Sequence, residues 1–320
     1  MAVPEVTVVI PTRDRWPRLG PTLRGALSQE DVSLEVIVVD DGSADETPAR
    51  LAEVKDPRLR VLRHDTSRGV AAARNAALAT ARGNWIAFLD DDDLWAPTKL
   101  RKQLSAAGEA QATWVYSGAI VLDERLSLID VYEAPPPAEL AEKLLAYNAV
   151  PAGASNVMAR ADAIRGVGGY DETLSQLADW DLWIRLALAG HPAVCEEPLM
   201  AYVQHSSGML VTDKSGLIEE FERLEEKYGE AGEERGIGFD RVGLVRWMAW
   251  GDSRGGRRVR AAGGYLKAMA MYARRGKLWS SGANLRDAIG ALLGEKQTDS
   301  GRRPPHSSKA TLPAWVELYR

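Results

Sequence analysis

Uninterrupted apolar runs punctuate the first third of the chain: Val6 to Ile10, Glu35 to Val39, Leu59 to Leu62 and Trp85 to Leu89. Helical patterns fill the stretches between them. Runs without polar alternation are what a parallel sheet covered on both faces requires, so the pattern predicts βαβ units in a doubly wound, Rossmann-like sheet. Ligands in such sheets sit beyond the carboxyl ends of the strands. Three of those ends are polar in this chain: Pro11-Thr12-Arg13-Asp14, Asp40-Asp41-Gly42-Ser43 and Asp90-Asp91-Asp92-Asp93.

Further along, the pattern loosens. Trp114 to Leu122 reads as one or two strands, and Glu133 to Pro137 as a proline-rich loop at a boundary. Gly166-Val167-Gly168-Gly169-Tyr170-Asp171-Glu172 is turn-rich, and Leu177 to Arg185 reads as the start of a helix. From about Lys214 the chain turns helical, acidic over Glu219 to Glu234 and basic over Arg241 to Arg286. The expected organisation is an α/β domain over residues 1–212, divided into parts 1–110 and 111–212, followed by a helical C-terminal appendage over 213–297. Thr298 to Ala310 is rich in Ser, Pro and charge, and residues 298–320 are expected to form a mobile tail.

Composition narrows the classes of partner. A chain of 320 residues fits one large α/β domain with an appendage, or two domains, and its net charge of −5 gives no general reason to expect a nucleic acid. The single cysteine, Cys195, excludes an internal disulfide, suits a reducing compartment and, after Ala193-Val194, reads as an ordinary buried residue. No basic leader with a cleavage site precedes Val6, and no apolar stretch reaches the roughly 18 residues of a membrane span. A cytoplasmic protein is expected, with any membrane contact peripheral and on the inner face. Arg257, Arg258, Arg274 and Arg275, with Trp247, Trp250 and Trp279, make the basic C-terminal helices the candidate for that contact. A basic face that is solvated, or packed on the acidic stretch, explains the same pattern.

Candidate chemistry concentrates at the strand ends. Four adjacent carboxylates repel one another, and at the end of a buried strand a divalent cation carrying a phosphorylated ligand would neutralise them, because hard oxygen ligands suit Mg²⁺ or Mn²⁺. The alternative is an acidic loop in which Asp93 caps a helix beginning near Ala96-Pro97. Asp41-Gly42-Ser43 suits a capped turn, a role compatible with ligand binding. Arg74, one turn into an Ala-rich helix that starts near Gly69, reads either as an anion-facing cation or as a surface residue. Asp179 and Asp181 flank Trp180, with Trp183 beyond. They suggest a cleft where carboxylate meets aromatic surface, or a helix cap followed by core tryptophans.

The motifs Val8-Val9-Ile10-Pro11-Thr12, Val38-Val39-Asp40-Asp41-Gly42-Ser43, Ala73-Arg74-Asn75, Phe88 to Asp93 with Pro97, Gly168-Gly169-Tyr170-Asp171 and Asp179-Trp180-Asp181-Leu182-Trp183 occur in that order. Their joint spacing resembles the family 2 glycosyltransferases with the GT-A fold, over roughly residues 5–210. The resemblance implies a nucleotide-diphospho-sugar donor, linked to UDP, dTDP or GDP, and a glycan or lipid-linked acceptor. It implies that Pro11, Thr12, Arg13 and Asp41 border the nucleobase and that Arg74 contacts the nucleotide, with Asp91 beside them. It makes Asp90 and Asp92 the DxD motif, Asp90 toward ribose and metal and Asp92 the firmest ligand of Mn²⁺ or Mg²⁺. Asp179 matches the catalytic base, with Asp181 as the alternative, and His205 matches a loop histidine that adds a metal ligand. Departures from the family pattern are Arg13 for an aromatic, Ser67 for Asn, Ala178 for Glu, and Val203-Gln204 where an Arg is common. Two other functions share the fold: a non-catalytic nucleotide-sugar or glycan-binding module, and a sugar-phosphate nucleotidyltransferase. The second would carry a Gly-rich basic loop after the first strand, and Pro11-Thr12-Arg13-Asp14 lacks those glycines.

Overall fold

The first strand, β1 (Val6–Thr12), is buried along its whole length and pairs in parallel with β2 (Leu34–Asp40). Pro11 lies inside β1, one residue beyond the expected end of the run. Its position is tolerated because pairing with β4 (Trp85–Phe88) reaches only Val9, so the missing N–H breaks no ladder bond. With β3 (Leu59–Arg63) these strands form the parallel half of a 9-stranded sheet. Strands β5 (Leu94–Trp95), β6 (Trp114–Leu122), β7 (Leu128–Tyr132), β8 (Met158–Arg160) and β9 (Pro192–Val203) complete it. The order is β3-β2-β1-β4-β8-β6-β9-β5, with β7 paired to β6. β6 and β9 run with the first four strands, whereas β5, β7 and β8 run against them. This mostly parallel mixed sheet is the expected α/β architecture.

The structure, a computed structural model, describes residues 3–205, 214–274, 276, 278–294 and 311–320. Two compact units form: the first runs to Val203 and takes in Thr311–Arg320, and the second starts at Gln204. In the first unit, α1 (Trp16–Leu27), α2 (Thr47–Glu53), α3 (Val70–Thr80) and α4 (Lys99–Ala110) link the early strands. Then come α5 (Pro137–Leu144), α6 (Ala161–Gly166) and α7 (Ala178–Ala189). The proline-rich loop at 133–137 marks no boundary, because β6, β7, β8 and β9 on either side of it share one sheet. Trp114 to Leu122 is a single strand, fully buried.

Trp183 is core, with no exposed surface. Its ring lies 6.0 Å from Phe88 at the end of β4 and 6.4 Å from Trp114, and Phe88 also meets Tyr170 edge-on at 5.2 Å. The Trp180 indole donates to the Leu144 carbonyl at 2.7 Å, tying α7 to α5. Cys195, expected to be fully buried, is only half-buried, where the β6 register shifts against β9.

The second unit contains α8 (Leu217–Glu233), α9 (Arg241–Arg254), α10 (Arg258–Arg274) and α11 (Leu278–Leu293). Small residues let α9, α10 and α11 approach closely around Ala249, Ala261, Ala262, Tyr265, Ala288 and Ala291. Asp240 caps α9 through the Gly243 N–H at 2.8 Å. Acidic and basic stretches meet where Arg241 bonds to Glu222 and Glu225. Trp250 is buried, and Arg257 is paired with Asp252 at 2.6 Å, which removes both from the expected membrane face. Arg275, the Trp279 side chain and Thr298 to Ala310 lie outside the described residues. Residues 311–320, expected in the mobile tail, instead pack on the first unit.

One ion cluster joins three elements of the first unit. Glu35, 2% exposed, accepts from Thr7 Oγ1 at 2.8 Å, from Arg60 at 3.0 Å and from both the backbone and guanidinium of Arg82. Burial would raise its carboxyl, but bonds from Arg82, Thr7 and Arg60 outweigh it and hold the group below its ordinary 4.5. A lowered carboxylate adds stability that is complete above the unfolded value and is lost as pH falls through the folded one. Glu35→Ala is expected to cost about 3 kcal/mol, read as a lower urea midpoint at unchanged slope. The gap to wild type should close as the pH drops below 4.5.

Candidate active site

The backbone after β4 divides the four adjacent carboxylates into two kinds. Asp91 and Asp93 turn inward, 5% and 1% exposed. The Asp90 and Asp92 side chains are more open, 37% and 14% exposed, across a turn closed by the Asp93 N–H on the Asp90 carbonyl at 3.3 Å. Asp91 accepts from Thr12 Oγ1 at 2.7 Å and from Arg15 at 3.2 Å. Burial and the neighbouring Asp92 charge push its carboxyl up to about 7, against the pull of Arg15 and Thr12. Asp93 accepts from Ser155 Oγ at 2.5 Å and from the Val203 N–H at 3.2 Å. Burial, then the charges of Asp92 and Asp90, raise Asp93 well above the ordinary carboxylate range. It caps no helix: β5 intervenes, and α4 starts only at Lys99.

Two arginines neutralise the open pair. Arg15 reaches Asp92 at 2.9 Å, and Arg74 reaches Asp90 at 2.5 Å. Arg74 is no surface residue. It is 4% exposed, with its guanidinium 5.0 Å from the centre of the Tyr170 ring and its Nε without a hydrogen-bond partner. The following residue, Asn75, holds the glycine-rich turn, donating to the Tyr170 carbonyl and accepting from the Tyr170 N–H, both at 2.9 Å. The Ala73-Arg74-Asn75 motif therefore aims a cation at Asp90 and docks Gly169-Tyr170 with the next residue.

Asp179 lies at the start of α7. It does not cap that helix, since among the described residues its carboxyl accepts from the adjoining Trp180 N–H, at 2.7 Å, and from Asn148 at 3.2 Å. Gly153, at φ +67°, lies against it, and a Cβ there would come 3.1 Å from the carboxylate. Burial raises the Asp179 carboxyl, Arg74 and the Trp180 N–H oppose the rise, and the Asp90 charge adds to it. The 3-10 helix Gly153–Asn156 lies between Asp179 and Asp90, since its Ser155 hydroxyl accepts from the Asp90 N–H at 3.0 Å. Asp181, in contrast, has no exposed surface and is locked to Arg185, which also donates to the Val167 carbonyl at 2.6 Å.

The remaining expected contacts divide. Thr12 is buried with its hydroxyl on Asp91, and Pro11 is buried beside it in β1. Arg13 is exposed, 3.6 Å from Asp14. Asp41 is held inside its own loop, accepting from Ser67 Oγ and His64 Nδ1 at 2.6 Å and from the N–H groups of Arg68 and Gly69 at 2.9 Å. Burial works against ionisation there, yet these donors keep the carboxyl below its usual value. His205 belongs to the second unit, where it is buried. Sequence reasoning missed Arg15, Asn148 and Ser155. Arg15 had a signal: four carboxylates need cations, and it follows the first strand at the same sheet edge.

The model of one family, Glycosyl transferase family 2, matches residues 7–167. The chain belongs to that family. Within it, residues of this chain are 46% identical over 110 positions to the succinoglycan biosynthesis protein ExoO of Rhizobium meliloti (strain 1021), covering 34% of this chain and 32% of that protein. They are 32% identical over 131 positions to the Escherichia coli UDP-Glc:alpha-D-GlcNAc-diphosphoundecaprenol beta-1,3-glucosyltransferase WfaP, covering 41% and 52% of the two chains. The chain thus spans about a third to a half of the length of these curated relatives. The S. aureus TarS structure 1–349, solved with UDP-GlcNAc, aligns over 91% of this chain and 92% of its own, with TM-score 0.53 and 15% identity. That likeness shows the GT-A fold of the family 2 enzymes.

The Asp41 cluster yields a test. Asp41→Ala leaves four donors of residues 64–69 without their acceptor and is expected to cost about 2 kcal/mol by chemical denaturation. Amide exchange should accelerate at Arg68 and Gly69 first.

Proposed function

We propose that this chain is a metal-dependent, inverting glycosyltransferase. It would move a sugar from a nucleotide-diphospho-sugar to a hydroxyl of a glycan or lipid-linked acceptor in polysaccharide or cell-envelope synthesis. One observation carries the reading: the 3-10 helix Gly153–Asn156 touches both carboxylates, with Gly153 against Asp179 and the Ser155 hydroxyl accepting from the Asp90 N–H at 3.0 Å, which supports a single site for the groups expected at the leaving diphosphate and at the acceptor. Asp90 and Asp92 offer hard oxygens on the open side of the loop and fit Mg²⁺ or Mn²⁺. Among the described residues no three or more His, Cys, Asp or Glu side chains are grouped to hold a metal alone. Phosphate oxygens and water would complete the shell, as these ions favour. The ligand role of His205 rests on the family resemblance alone. Bound there, the cation would act as a Lewis acid on the departing diphosphate.

The chain's own groups do the rest. Arg74, fixed by Asp90 and Tyr170, presents a buried positive charge toward the same anion. Asp179 takes the proton of the acceptor hydroxyl as its oxygen bonds to the anomeric carbon. The bond from that carbon to the phosphate oxygen breaks, and its electron pair leaves with the diphosphate. Attack opposite the leaving group inverts the anomeric centre without a covalent sugar intermediate. Asp181, locked to Arg185, is not the base.

The named relatives support the finer choices. TarS was solved with UDP-GlcNAc and with UDP, and WfaP is named for a UDP-Glc donor and a diphosphoundecaprenol-linked acceptor. UDP is therefore favoured over dTDP and GDP. An acceptor on a lipid would draw the protein to the inner face of a membrane. No helix among the described residues is long and apolar enough to cross one. Exposed Val259 and Leu266 on α10, beside exposed Arg258 and Arg260, suit peripheral contact.

Asp179→Asn is expected to lower kcat by about 10² to 10⁴ while leaving donor binding intact. Turnover unchanged by that substitution would remove Asp179 as the base, and donor binding without any turnover in wild type would leave only a binding module. Because the base must be ionised and burial raises its carboxyl, kcat should fall on the acid side of the pH profile. Calorimetry with UDP, GDP and dTDP, with Mn²⁺ and with chelator, should give one preferred diphosphate whose binding needs both the ion and Asp92, and Asp92→Ala should abolish it. Sedimentation with anionic vesicles should succeed at low salt and fail at high salt or in Arg258→Glu/Arg260→Glu.

A further inference from the structure

The segment Thr311–Arg320 returns to the first unit after the whole second unit has intervened. It settles on a face made by β5, β6, β7 and β9. Its one short 3-10 helix, Ala314–Tyr319, buries Val316 completely among Leu94, Ile120, Leu122, Ala201 and Val203. Trp315 and Tyr319 pack edge to face at 6.3 Å. The Tyr319 hydroxyl donates to the Trp95 carbonyl at 2.7 Å, and Arg320 donates to the Leu126 carbonyl at 3.2 Å. The receiving surface is shaped for this ring: Gly25 of α1 lies so close that a Cβ there would overlap the Tyr319 hydroxyl.

The seat lies directly behind the aspartates. Trp95 ends β5, two residues after Asp93. Its indole N–H donates to the Ser155 carbonyl at 2.7 Å. The Ser155 hydroxyl in turn donates to Asp93 at 2.5 Å and accepts from the Asp90 N–H at 3.0 Å. A hydrogen-bonded path therefore runs from Tyr319 through Trp95 and Ser155 to both ends of the carboxylate run.

We propose that Thr311–Arg320 is an intrachain peptide ligand whose seating on this face holds residues 90–95 in the conformation that turns Asp90 and Asp92 outward. Tyr319 is a positioning residue, acting through Trp95 and touching no substrate. The occupant is this chain's own segment, because Val316, Tyr319 and the carbonyls of Trp95 and Leu126 already match it. That the aspartates serve a metal and donor rests on the function proposed above. The seating of the segment does not.

Hydrogen exchange read by mass spectrometry over residues 88–97 tests the clasp without any ligand. Three full-length variants attack it from different sides. Val316→Asp evicts the segment, Tyr319→Phe removes only the bond to Trp95, and Gly25→Ala blocks the ring's seat by a change that otherwise favours a helix. Exchange at residues 90–95 is expected to rise about 10-fold in Val316→Asp and Gly25→Ala, and less in Tyr319→Phe, with β1 and β2 still protected. A synthetic 311–320 peptide at roughly millimolar concentration should restore slow exchange to Val316→Asp, and the same peptide carrying Val316→Asp should not. Unchanged exchange at 90–95 in Val316→Asp overturns the proposal. If that variant loosens the whole unit, slow exchange at 90–95 retained in both Gly25→Ala and Tyr319→Phe overturns it equally. In the same variants the Mn²⁺ concentration that half-saturates UDP binding should rise in the order of the exchange effect. Should wild type bind no nucleoside diphosphate with Mn²⁺, the proposed function fails, while the clasp stands or falls on exchange alone.

Discussion

Like charges on neighbouring residues cannot be packed together, and the first unit is arranged around that constraint. Four carboxylates follow β4, and the turn that carries them sends Asp91 and Asp93 inward and leaves Asp90 and Asp92 more exposed. The inward pair is accommodated by Thr12, Arg15, Ser155 and the Val203 N–H, groups drawn from β1, the turn after it, the 3-10 helix at 153–156 and β9. Each of those elements is therefore anchored to the loop it neutralises. The outward pair stays partly exposed beside Arg15 and Arg74, a disposition suited to a ligand that brings its own charge.

Arg74 joins the two halves of the site. It is buried against Tyr170, pairs with Asp90 and bears on Asp179. Desolvation makes such a cation costly unless anions face it, so its burial and the positions of both carboxylates depend on one another. Asn75, next in the chain, fastens the turn that supplies Tyr170. A short Ala-rich helix thus connects the proposed donor side to the proposed acceptor side.

The parallel strands were legible because buried strands need continuous Val, Ile and Leu: β1, β3 and β4 start where those runs start, and β2 one residue earlier. The family resemblance singled out Asp90 and Asp92, the more exposed members of the run, and the core role of Trp183 was legible through its helical context. The fate of Arg74 was not, since an arginine on an Ala-rich helix looks solvent-facing until Tyr170, far along the chain, covers it. Asp93 misled for a similar reason: its partners Ser155 and Val203 are remote, whereas the proline of Ala96-Pro97 is a strong local cue for a helix start. Asp41 illustrates a third limit. The motif marks the residue, but only the fold shows that its oxygens are filled by the 64–69 loop. Val316 and Tyr319 carried no signal at all, because a short apolar segment behind a polar stretch reads as tail until its groove is known.

The helix bearing Asp179 is keyed to the strand bearing the aspartates by direct contact of Trp183 with Phe88. The spacing between the proposed base and the proposed donor site is consequently a property of the close-packed interior and independent of the surface loops around it. Such an interior tolerates little drift, while loops at its rim can change length and chemistry freely. On a scaffold of this kind, rim loops could vary while the spacing of Asp179 from the aspartates stayed fixed.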